Sequence, residues 1–137
     1  MLARVLSSLR LEVAAVWHSP KARSRQTAEI IHAAVSSKAA LVERRDLRPN
    51  SSLRQVLRDI NGGKGDLMIV GHEPHLGKLV SQLLTREKWA QVVDMAKAGV
   101  VCLRSGPSDG WQVAWAATPE LLQAAIRSAA KRPMFKR

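Results

Sequence analysis

A chain of 137 residues has material for one modest core and not for two. Its 46% hydrophobic and 24% charged residues are globular values and exclude wholesale disorder. Lysine and arginine total 22 against 11 acidic residues, a net charge of +11. The lone cysteine, Cys102, excludes an internal disulfide framework and fits a reducing compartment. No apolar stretch approaches the ~20 residues that a bilayer requires, and no apolar secretory core opens the chain. The expectation is one soluble, cytoplasmic domain spanning residues 1–137.

Residues 1–9 carry Leu2, Val5, Leu6 and Leu9 at helical spacing, beginning without a cap. Residues 13–17 form a short apolar run that reads as a buried strand. Ser19-Pro20 ends it, with Pro20 suited to the first turn of a helix, and residues 23–36 continue at helical period through Ala28, Ile31 and Val35. Residues 40–42 are at most a short strand, and 47–52 a loop built on Pro49, Asn50 and Ser51. A helix over 52–60 presents Leu53, Val56, Leu57 and Ile60 on one face, and Gly62-Gly63-Lys64-Gly65 breaks it. Residues 66–71 are the clearest buried strand, followed by a helix over 75–84 with Leu76, Leu79, Val80 and Leu83 inward. A further turn or two of helix is expected over 89–95, then a hairpin of strands over 99–104 and 111–117. Thr118-Pro119-Glu120 combines a capping hydroxyl, a first-turn proline and a first-turn acid, and starts a helix running to about Lys131. Strands alternating with helices predict an α/β sandwich in three layers, with helices on both faces of a mostly parallel sheet.

In such sheets the reactive loops lie beyond the carboxyl ends of the strands. Two polar segments occupy that position. In the first, Arg23 lies in the opening turn of a helix, where free backbone amides and the helix dipole favour an anion and a guanidinium can grip a phosphate bidentately. A merely solvated arginine is the plainer alternative. In the second, His72 comes after an apolar strand and Gly71; it could donate to a phosphate oxygen or exchange a proton near neutral pH, or simply cap the next helix. His72 and His75 stand three apart, but no cysteine or third ligand lies near, so no metal is expected. His18 and His32 read as incidental. There is no Walker loop and no nucleophile elbow. A nucleic-acid partner would use the basic tail from Lys131 to Arg137, but the other basic residues are dispersed and there is no tyrosine and one phenylalanine for base stacking.

Four segments in order carry a family resemblance. Ser19-Pro20-Lys21-Ala22-Arg23-Ser24-Arg25-Gln26-Thr27-Ala28-Glu29 resembles the SPxxRAxQTAE segment of the histidine phosphatase superfamily. Leu67-Met68-Ile69-Val70-Gly71-His72-Glu73-Pro74 resembles its apolar-strand-VGHxP segment. The stretches from Met95 to Leu103 and from Trp115 to Leu122 are similar to the closing strands of the small SixA-type phosphohistidine phosphatases. The resemblance implies a phosphoglycerate mutase-like three-layer domain that dephosphorylates phosphohistidine on a phosphotransfer protein, or a small phosphate ester, through a phosphohistidine intermediate and without a cofactor. It makes Arg23 a phosphate-binding arginine and His72 the second phosphate-binding, catalytic histidine. Glu73 and Asp46 are candidate general acids, neither assignable, and Arg25 and Arg48 could add positive field.

The family's nucleophile sits in an Arg-His-Gly motif on a first strand, and no Arg-His-Gly occurs here. The resemblance places that strand between the 67–70 and 100–103 strands, so two unpaired edges are expected to face each other. The capless opening helix suggests an N-terminal truncation of roughly 35–45 residues, counted from the strand, loop and helix turn required. A degenerate relative, or a strand supplied by another chain, are the alternatives. By itself the chain is expected to be inactive; a non-catalytic phosphate- or phosphoprotein-binding role is the second reading, and a basic nucleic-acid-associated domain the third.

Overall fold

A computed structural model describes residues 4, 6, 7, 11–35, 38–95, 99–106 and 110–131. Most of the predicted opening helix, the tip of the predicted hairpin and the basic tail beyond Lys131 lie outside the described residues. The elements run β1 (Ala15–His18), α1 (Ala22–Val35), β2 (Ala40–Glu43), a 3-10 turn (Arg45–Leu47), α2 (Arg54–Gly62), β3 (Leu67–Val70), α3 (His75–Thr85), β4 (Val100–Ser105), β5 (Trp111–Ala117) and α4 (Pro119–Lys131).

The parallel sheet has the order β2-β1-β3, with Val16 opposite Leu41 and Met68, and Trp17 opposite Val42 and Ile69. Strand period two then sorts the apolar side chains into two layers. Val16, Met68 and Val70 face Ala28, Ile31 and Val35 of α1, together with Leu6. Trp17 and Ile69 face the other way, onto Leu47, Val56, Leu57 and Ile60 and onto Leu79 and Leu83 of α3. Helices therefore cover both faces, the three-layer α/β arrangement that the alternating pattern predicts. Val16, Leu47 and Val56 are fully buried and anchor the two layers.

The hairpin forms a second sheet, β4 antiparallel to β5, with a register irregularity between Cys102 and Leu103. The Thr118 hydroxyl accepts the Leu121 N–H at 3.1 Å, so α4 is capped as its sequence predicts. Among the described residues β3 pairs with β1 alone and β4 with β5 alone, so each leaves one edge without a strand.

Several expectations need correcting. Residues 89–95 form no helix: Arg86 enters the left-handed region at φ 66° and ends α3, and the chain continues from there in turn and coil. Pro20 lies two residues before α1 rather than in its first turn. The stretch after β2 opens with a 3-10 turn whose Leu47 is completely buried, because Leu47 fills the layer under α2 and α3.

Candidate functional site

Parallel pairing places the ends of β1 and β3 side by side, and the Ser19 N–H donates to the Val70 carbonyl at 3.1 Å. The β1–α1 loop and the β3–α3 loop are thereby neighbours at the carboxyl edge of the sheet. The polar contacts between them converge on one atom. His72 Nε2 lies 2.7 Å from the Ser19 hydroxyl and 2.9 Å from the Ser24 hydroxyl. Ser19 is completely buried and Ser24 is 3% exposed. Ser19 also accepts the Lys21 N–H at 3.1 Å, which shapes the approach to α1.

His72 is partly exposed, and its imidazole is held below the ordinary histidine range, first by burial and then by the positive charge of Lys21. The shift favours the uncharged ring at neutral pH, which can give one hydrogen and accept one. Arg23 occupies the first turn of α1, immediately before Ser24 and exposed. Its guanidinium has no hydrogen-bond or ion-pair partner among the described residues. Free amides of the first helical turn lie beside it. The structure thus puts Arg23 in a helix turn next to Ser24, whose hydroxyl reaches His72 on the adjoining loop.

The other sequence candidates divide. Glu73 Oε1 accepts the Gly77 N–H at 2.8 Å, capping the first turn of α3; a Cβ at position 77 would lie 2.8 Å from the other carboxylate oxygen. Asp46 is no free loop charge. Both its oxygens accept from Arg44, at 2.9 and 2.7 Å, and Arg44 reaches Asp59 at 2.8 Å and lies 4.3 Å over the Trp17 ring. Its carboxyl is held below the usual range, chiefly by Arg44, which makes it a poor proton donor. Arg25 reaches Glu29 at 4.0 Å across an exposed helix turn, and Arg48 donates to the Arg45 carbonyl. His18 and His32 have structural roles, donating to the Ser19 and Ala39 carbonyls at 2.9 and 2.6 Å. His75 is completely buried; neither ring nitrogen has a well-aligned hydrogen-bond partner among the described residues, although the Asp46 and Ser52 backbones lie close enough to favour its protonated form. Gly71 serves close packing: a Cβ there would meet Leu76 at 3.3 Å.

The sequence pattern does not reveal either serine at His72. Ser19 stands out only as a turn residue, and Ser24 sits in the first turn of a helix, where a partner 48 residues away leaves no local signal.

No family model matches the chain. An uncharacterized protein of Picosynechococcus sp. is 32% identical over 110 residues, which cover 77% of this chain; the chain spans just under two thirds, 66%, of that relative. The solved structure of the protein histidine phosphatase SixA complexed with tungstate matches with a TM-score of 0.72 and 20% sequence identity, over 88% of this chain and 80% of that one. With the parallel sheet and the helices on both of its faces, that match shows that this chain has the phosphoglycerate mutase-like α/β fold seen in SixA.

Proposed function

We propose that the β1–α1 and β3–α3 loops form a phosphoryl-binding pocket of the histidine phosphatase class, taking phosphohistidine on a phosphotransfer protein as substrate. Arg23 and His72 are its phosphate ligands. The observation that carries this reading is the convergence of the two motif loops on His72 Nε2, beside an unpartnered arginine at a helix start. A phosphoryl group in transfer spreads charge over its equatorial oxygens. Guanidinium, helix amides and an imidazole that accepts a proton as the anion arrives supply the complementary field.

The reaction also needs an in-line nucleophile. The 137 residues contain no Arg-His-Gly, and the histidines other than His72 are buried or bonded to backbone. The nucleophile would have to arrive on a strand lying between β3 and β4, whose edges carry no partner strand among the described residues. The present chain is therefore a phosphoryl binder with negligible turnover, and a non-catalytic phosphoprotein-binding role is the second reading.

Tungstate and inorganic phosphate titrations monitored by nuclear magnetic resonance test this. Binding should raise the His72 pKa, and His72→Ala and Arg23→Ala should each weaken it about ten-fold or more, the worth of a charge-assisted hydrogen bond. Unchanged affinity in both variants would overturn the assignment. Appreciable phosphohistidine hydrolysis by this chain, abolished in His72→Ala, would sink the claim of negligible turnover.

A further inference from the structure

We propose that Ser24 is a positioning residue for His72: with Ser19 it forms a two-hydroxyl clamp on Nε2 that fixes the ring's orientation. The role in anion binding rests on the phosphoryl-site reading above; the clamp itself does not.

An imidazole nitrogen carries either one hydrogen or one lone pair, so a single hydroxyl would satisfy it. Here two buried hydroxyls approach the same atom within 2.9 Å. They are not equivalent. Ser19 is already committed to the Lys21 N–H. Ser24 has no second hydrogen bond among the described residues, so its hydroxyl is free to rotate, accepting from Nε2–H or donating to a bare Nε2. A 180° flip of the ring would set a C–H against both hydroxyls, leaving the buried Ser24 hydroxyl without a partner and Ser19 with the Lys21 N–H alone. Such a flip is therefore opposed from two sides, and the Nδ1 side of the ring keeps a fixed direction.

The helix itself gives no reason for a serine at this position. Serine is a poorer helix former than alanine, and alanine is the residue that the SPxxRAxQTAE pattern carries where Ser24 stands. The backbone would accept alanine; the hydroxyl is there for its partner across the loops. At 3% exposure Ser24 is also too enclosed to meet a ligand directly, which separates a positioning role from a nucleophilic one.

The experiment compares Ser24→Ala and Ser24→Thr with the parent chain. Nitrogen-15 shifts of the His72 ring report its hydrogen bonding and pKa, thermal unfolding reports folding, and tungstate titration reports the site. The parent and Ser24→Thr should share one set of His72 ring shifts. Ser24→Ala should show altered His72 ring shifts, a shifted His72 pKa, an unchanged or raised thermal midpoint, and tungstate affinity lower by about three- to ten-fold, the worth of one hydrogen bond. His72 shifts in Ser24→Ala identical to the parent would overturn the proposal. So would a perturbation that comes only with a lowered midpoint and is not restored by threonine. If tungstate fails to bind the parent chain, the phosphoryl-site reading falls, while the ring shifts still decide the clamp.

Discussion

The Arg44 side chain joins three parts of the protein through one guanidinium. It bridges Asp46 after β2 to Asp59 in α2 while lying over Trp17 of β1. Arg44 is 13% exposed, Asp46 25% and Asp59 37%, so solvent screens the acidic ends more than the base. Arg44→Ala should cost about 2 kcal/mol in urea unfolding at pH 7, combining a bidentate pair, a second acid and the ring contact. The sign with pH is fixed by Asp46. Its folded carboxyl is held below its unfolded value, chiefly by Arg44, so the pair's stability is present above about pH 4 and lost as pH falls through the folded pKa. The stability gap between the parent and Asp46→Asn should therefore close on acidification below about pH 4; a gap constant from pH 7 to 3 would refute the assignment.

Helix α3 shows the compromise between an element's local design and its packing. Glu73 caps its first turn, and Leu79 and Leu83 face the sheet as the 3.6-residue period requires. His75, one helical turn before Leu79, is buried with them. Burial pushes its imidazole below the ordinary range, although the Asp46 carboxylate and the backbones of Asp46 and Ser52 pull the other way. A histidine whose folded pKa is lowered stabilises the fold above about pH 6.5, and that contribution is lost as pH falls below it. His75→Leu removes both the poorly partnered ring nitrogens and this liability. It should be neutral or stabilising by about 1 kcal/mol at pH 7, with a larger advantage at pH 5. A destabilised variant whose deficit grows on acidification would show that the ring nitrogens have partners in solution. The period places α3 in the sequence almost residue for residue, because its apolar stripe and its cap are local. The same logic fails over 89–95, where Trp89 and Val92 mimic a helical face yet remain exposed.

The fold is unevenly held together. β1 is paired on both sides and lies between two helical layers, whereas β4 and β5 form a two-stranded ribbon with Val113 exposed at 43%. Two-stranded ribbons are marginal without further packing. Amide exchange should be slowest in β1 and measurably faster throughout β4 and β5, which open at lower free energy. Equal protection of both sheets would mean that the two are joined in solution. Ligand binding between the two loops should slow exchange in β1 and β3 first, since both site loops leave those strands.

Layer order and the two loops were legible in the sequence because each rests on short-range pattern. Apolar runs of strand length, helices of 3.6 period and the position of Gly71-His72 after β3 need only neighbouring residues to be recognised. Arg23 and His72 could be nominated for the same reason, each at the end of a strand or the start of a helix. The pairing at His72 could not. Ser19 and Ser24 reach it across 53 and 48 residues of chain, and only the parallel register of β1 with β3 brings them within hydrogen-bonding distance. The ion pair of Arg44 with Asp59 and the burial of His75 are likewise products of packing between layers, where burial decides which polar groups find partners and which are left without.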